Sequence, residues 1–193
     1  MSSSEISLNS IPGNLLLIFC DLRILIAVLN RFKYGIEAST NDMMAFSRMR
    51  STVEHRLLSL EERQESVSGQ LKLDDYVYDS FVVGIQIYIN LVLRNYGPDF
   101  ALLRTLKRKL MGLLYKHGEL SESKSHGSVG IVPLWILLMG GMVALNAEET
   151  TSFAQFIAKT MRQSALQGWP EVETNLTQVL WTKHLQRSGF RAL

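Results

Sequence analysis

Residues 132–146 read VPLWILLMGGMVALN, and where this stretch goes decides the fold. No charge falls between His126 and Glu148. The strongly apolar part, 131–145, makes about 22 Å of helix at about 1.5 Å per residue, short of the ~30 Å of a bilayer core. The nearest basic residues are Lys124 and Lys159, so no Lys or Arg clamp marks a cytoplasmic flank. A helix that is apolar on every face belongs in the middle of a bundle. That placement demands other helices to cover it.

The rest of the chain supplies them. Residues 14–34 are apolar nearly all round and predict a second central helix, stopped by Gly35. Thr40 or Asn41 offers an N-cap for the next helix, with Phe46, Met49, Val53, Leu57 and Leu60 in one stripe. Residues 64–72 read as a loop. The run DDYVYDSFVVGIQIYINLVLRN is too long for a strand and predicts a helix up to Gly97-Pro98. Gly84 inside it implies a close helix contact, since glycine costs up to about 1 kcal/mol against alanine there. Pro98 suits the first turn of a helix with Leu103, Leu106, Leu110 and Leu113 inward and Gly118 at its end. Thr150 or Thr151 can cap a helix with Phe153, Phe156, Ile157, Met161 and Ala165 inward. Pro170 opens the last helix, on which Val172, Leu176, Val179, Leu180 and Lys183 keep the helical period up to Gly189. Gly140 and Gly141 each cost about 0.5–1 kcal/mol in a helix, so the pair predicts another helix packed closely against them.

The chain has 193 residues, 47% hydrophobic and 20% charged, with a net charge of +2. These values suit a globular protein and do not suggest one that coats nucleic acid or membrane. The expectation is a single all-α domain over 1–193, with about seven helices around one or two central apolar ones. Residues 1–13 are expected to be disordered and 118–128 to form a mobile loop. The apolar run 15–29 lacks a preceding basic residue and is interrupted by Asp21 and Arg23, unlike a signal peptide.

The residue types that carry chemistry are sparse. The single cysteine, Cys20, excludes a disulfide framework within the chain and reads as inert filler in an apolar helix. His55, His117, His126 and His184 have no partner at metal-ligand spacing. Asp74 and Asp75 are adjacent, so on a helix they point about 100° apart and suit the helix dipole better than joint catalysis. No nucleophile elbow, phosphate loop or zinc-protease motif occurs. Arg104, Lys107, Arg108, Lys109 and Lys116 read as a solvated basic face, with contact to phosphates or an acidic partner as the alternative, and no interleaved aromatic residues for base stacking. Trp135, Trp169 and Trp181 read as core anchors, with the lining of a small-molecule pocket as the alternative. No catalytic, cofactor-binding or metal-ligating residue is therefore assigned, and no cofactor.

The order PLWILLMGGMVA, then FAQFIAKTM, then GWPEVETNLTQVLW resembles the C-terminal regulatory region of fungal-specific zinc-cluster transcription factors. Trp135, Gly140, Gly141, Phe153, Phe156, Trp169, Glu171, Leu180 and Trp181 carry the resemblance, and IQIYINLVLRN upstream is similar to a further helix of that region. It spans roughly residues 57–184. The family's zinc cluster uses six cysteines, and this chain has one. The resemblance therefore implies a stand-alone or truncated regulatory domain of the nucleus, non-enzymatic, with no sequence-specific DNA binding of its own. It would act through protein partners, including dimerisation with related transcription factors, or through a small effector. The alternative reading is a membrane-associated helical protein using segments 15–29 and 131–145.

Overall fold

The computed structural model describes residues 13–33, 39–64, 75–116, 131–164, 166, 168–176 and 179–181. The disorder expected for 1–13, apart from Gly13, and the loop expected at 118–128 lie outside them, as do the expected stops at Gly35, Gly118 and Gly189. Among the described residues there are seven α-helices, one π-helical turn and no strand, so the chain is all-α. It divides into two compact units, Met1–Leu71 and Lys72–Leu193.

The first unit pairs α1 (Gly13–Lys33) with α2 (Thr40–Gln64). The cap of α2 is Ser39, in place of the expected Thr40 or Asn41. The Asp42 amide donates to Ser39 Oγ at 3.1 Å, while the Asp42 carboxylate accepts from the Ser39 amide at 3.1 Å and its hydroxyl at 2.7 Å. This reciprocal box satisfies donors that the helix start leaves open. The bonds from Ser39 hold the Asp42 carboxyl below its usual range. Asp21 on α1 accepts from Arg56 on α2 at 2.5 Å, and Phe32 meets Phe46 edge to face. On α2 the expected stripe is present, with Val53, Leu57 and Leu60 buried and Phe46 and Met49 half-buried.

Helix α1 departs from its reading. Leu15, Ile18, Phe19, Leu22, Leu25 and Ile26 are buried, but Leu17 is 63% and Ile24 49% exposed. The helix is covered on one side and is not central. Cys20 lies on the uncovered side, so it is not core filler.

The second unit holds α3 (Asp75–Tyr88), α4 (Ala101–Lys116), α5 (Ile131–Met142), α6 (Ala147–Gln163) and α7 (Trp169–Leu176). Helix α5 is central, as the opening stretch requires, and packs on α3, α4, α6 and α7. Nine of its residues are buried, from Ile131 through Gly141. Each fully buried Leu or Ile side chain is stabilised by about 1.5–3 kcal/mol relative to exposure. No described helix is long and apolar enough to cross a membrane.

The long helix expected up to Asn95 changes character at Ile89–Leu93, a π-helical turn. There the Arg94 amide donates to the Ile89 carbonyl at 3.0 Å, five residues back. The side-chain amide of Asn90 donates to the Gln86 carbonyl at 2.8 Å. Asn95 then takes a left-handed φ of 54°, which Asn tolerates better than most residues. Pro98 precedes α4 in a turn and does not lie inside the helix. On α4, Leu114 rather than Leu113 completes the buried stripe of Leu103, Leu106 and Leu110.

Two further ends differ from expectation. Helix α5 closes at Met142, with the Val143 and Ala144 amides donating to Gly140 and Gly141, both at 3.2 Å. These shorter-range bonds tighten the last turn. Helix α7 closes at Leu176, and the Val179 amide donates back to Leu176 at 2.9 Å. Leu180 and Trp181 thus lie beyond the helix and are buried from a turn.

Candidate functional site

Of the residues that carry the sequence resemblance, Trp135, Gly140 and Gly141 lie on α5 and Phe153 packs against it. Trp135 is fully buried on one face of α3. Phe81 stands edge to face with it at a centroid distance of 5.6 Å, and Tyr88 lies tilted at 5.9 Å. Between them, a Cβ on Gly84 would stand 3.1 Å from the indole Cζ3, tighter than ordinary van der Waals contact. The close contact expected of Gly84 is therefore with Trp135. The spacing 81, 84, 88 repeats on one helical face, so α3 holds the indole with two rings and a glycine gap.

This face also carries polar atoms without hydrogen-bond partners among the described residues: Ser80 Oγ, Tyr88 Oη and Trp135 Nε1. Burial pushes the Tyr88 phenol far above its usual range, so it stays neutral and can donate. A buried polar group left unpaired costs about 1–3 kcal/mol, and such groups are few in folded proteins.

At the other end of α5, Gly140 brings α4 and α6 close. A Cβ there would stand 2.5 Å from Phe153 Cζ and 2.9 Å from Leu110 Cδ2. Beside this contact, Asn146 caps α6, in place of the expected Thr150 or Thr151, by accepting the Glu149 amide at 2.8 Å. Glu149 Oε2 in turn accepts from the Leu145 amide at 2.8 Å and from Lys107 Nζ at 2.5 Å. Burial raises the Glu149 carboxyl, but the bonds from Leu145, Lys107 and Asn146 together with the Lys107 charge outweigh it and hold the group below its usual range.

Lys107 is consequently a correction to the basic face. It is 3% exposed and joins α4 to the cap of α6. Arg104, Arg108, Lys109 and Lys116 remain exposed as expected. The helical period marks Lys107 as adjoining the buried stripe, and Glu149 three residues after Asn146 is a capping-box spacing; together they were the available signal.

The other candidates are dispersed. His55 is exposed on α2 with Ser59 beside it, while His117, His126, His184 and Asp74 lie outside the described residues. No group of three or more His, Cys, Asp or Glu that could hold a metal occurs among the described residues. Trp181 is buried, at 6.2 Å from Trp169 and edge to face with it, in agreement with its reading as an anchor. In chemical terms the assembly around α5 is a packed junction with neutral buried donors.

Comparison with protein families, curated proteins and solved structures returned no match to this chain.

Proposed function

We propose that this chain is a non-enzymatic regulatory domain of transcription, acting in the nucleus through protein partners or a small effector and without a DNA-binding module of its own. The observation that carries the reading is the mutual packing of residues that define the sequence resemblance. Gly140 on α5 meets Phe153 on α6, Trp135 on α5 meets Tyr88 on α3, and Trp169 meets Trp181. Such a resemblance could be a chance succession of apolar residues; packing of its Gly and aromatic positions against one another favours a shared architecture.

The test is transcriptional. The full chain is fused to an unrelated DNA-binding module and placed at a reporter promoter in a fungal cell. Reporter output should change relative to the DNA-binding module alone, and the change should be lost with Gly140→Leu. An output that stays at the level of the module alone, with the fusion expressed and nuclear, overturns the reading. The unfused purified chain should show only weak, salt-sensitive and sequence-indifferent affinity for DNA, with dissociation constants of about 10⁻⁴ to 10⁻⁶ M at physiological salt.

A further inference from the structure

Helix α1 leaves one face uncovered. Leu17, Cys20, Ile24, Ala27 and Arg31 are all exposed on it. Their spacing is three, four, three, four, which is the spacing of a coiled-coil seam. The buried residues of α1, from Leu15 to Ile26, fall on the opposite side of the helix. Asp21 at the edge of the uncovered face is already held by Arg56. A groove of about 170 Å³ opens beside Ile24 and Val28, with Phe46 and Met49 of α2 on its far wall. Met43 and Met44 are also exposed, at 60% and 47%.

We infer that this face pairs two copies of the chain, α1 against α1 and antiparallel. The sizes along the seam select both the partner and the direction. Read from opposite ends, the seam is self-complementary: Leu17 of one copy lies over Ala27 of the other, and Cys20 lies over Ile24. Every layer then sets a large side chain on a small one, as close packing requires. A parallel pair would instead set Leu17 on Leu17 and Ala27 on Ala27, alternately crowded and empty. It would also bring Arg31 onto Arg31, two like charges at the seam. In the antiparallel pair Arg31 falls at the level of Gly13 in the other copy, where no side chain opposes it. The first turn of the second α1, with Leu17, arrives beside Val28 and the open groove.

The pairing is weak. A helix of 21 residues is about 31 Å long and about 10 Å wide, so its face has a footprint of about 300 Å². A standard stable interface buries about 800 Å² per partner. The dimer therefore forms reversibly, and its population follows protein concentration. This inference does not depend on a role in transcription.

Sedimentation velocity of the full chain over a hundredfold concentration series tests it. The wild-type chain should shift from monomer towards dimer as concentration rises. Ile24→Glu and Leu17→Lys, both at exposed positions, should stay monomeric at every concentration with unchanged helical circular dichroism. If one variant loses helicity, the other supplies the comparison. A wild-type chain that stays monomeric throughout, or folded variants that still dimerise, overturns the pairing. Direction is read separately by oxidising Ile24→Cys with glutathione disulfide and mapping the crosslinked peptides. The antiparallel pair gives links between position 20 of one copy and position 24 of the other. A product dominated by links of Cys20 to Cys20 overturns the antiparallel arrangement.

Discussion

Helices α1 and α5 look alike as sequences and differ as structures. Both are apolar nearly all round, and each invites a central position. Helix α5 reaches it, because four other helices of its unit pack against it. Helix α1 does not, and it leaves Leu17, Cys20 and Ile24 exposed. The comparison teaches that apolar composition permits burial without causing it. What covers a helix is the number of neighbours that the connections bring within reach.

The sharpest way to break this contrast is to truncate one large apolar side chain on each helix. Trp135→Ala empties a fully buried site on α5, and about 3–5 kcal/mol of stability should be lost, read as a fall in the denaturant midpoint. Ile24→Ala on α1 should change the midpoint by no more than about 0.5 kcal/mol, because the site is half open. Equal losses would mean that α1 is covered after all.

Filling a gap should discriminate next. Gly140→Ala drives a methyl into Phe153 and Leu110, and overpacking of this kind costs about 1–3 kcal/mol; Gly140→Leu should cost at least as much. Thermal or urea denaturation reads both. An unaltered midpoint would place Gly140 at an open helix end.

Acid should loosen the α4–α6 link. The Glu149 carboxyl is held below its usual range, so it binds its proton more weakly in the folded chain than in the unfolded one. Its contribution is therefore complete above the ordinary carboxylate range and is lost as pH falls through the lowered folded value. Glu149→Gln should lower stability at neutral pH by about 1.5–3 kcal/mol, the usual range for hydrogen bonds to a charged group. The difference from wild type should shrink on acidification. A difference that persists into strong acid would assign the loss to the cap geometry and not to charge.

The smallest effect has the opposite sign. Gly112 on α4 has nothing within 4 Å of a Cβ added there. Gly112→Ala should raise stability by about 0.5–1 kcal/mol through helix propensity alone. Gly112 and Gly140 are both helical glycines, and opposite responses would show that surroundings, not residue type, set the sign.

Much of the architecture was legible from periodicity. The stripe of Val53, Leu57 and Leu60 and the burial of Val172 and Leu176 follow from side chains needing cover at helical spacing. Gly84 and Gly140 were legible as close contacts because glycine is costly inside a helix unless a neighbour needs the room. Their neighbours, Trp135 and Phe153, were not, since a partner distant in sequence leaves no local mark. Ser39 and Asn146 were missed as caps in favour of nearby Thr and Asn residues, because several adjacent hydroxyl and amide side chains can each begin a helix. Lys107 was placed on the surface by its charge alone.

By itself the sequence determined that this chain is helical and that α5 would be central. An uncharged segment too short for a bilayer must be covered by protein, and the stripes around it could supply that cover. Tertiary structure alone decided that α1 stays open on one side. It also decided that Lys107 turns inward to Glu149 and that the helix after Tyr88 widens into a π turn. Each of these depends on which groups arrive from elsewhere in the chain: a buried ammonium is tolerated when a carboxylate meets it, and an apolar face stays exposed when no helix lies against it.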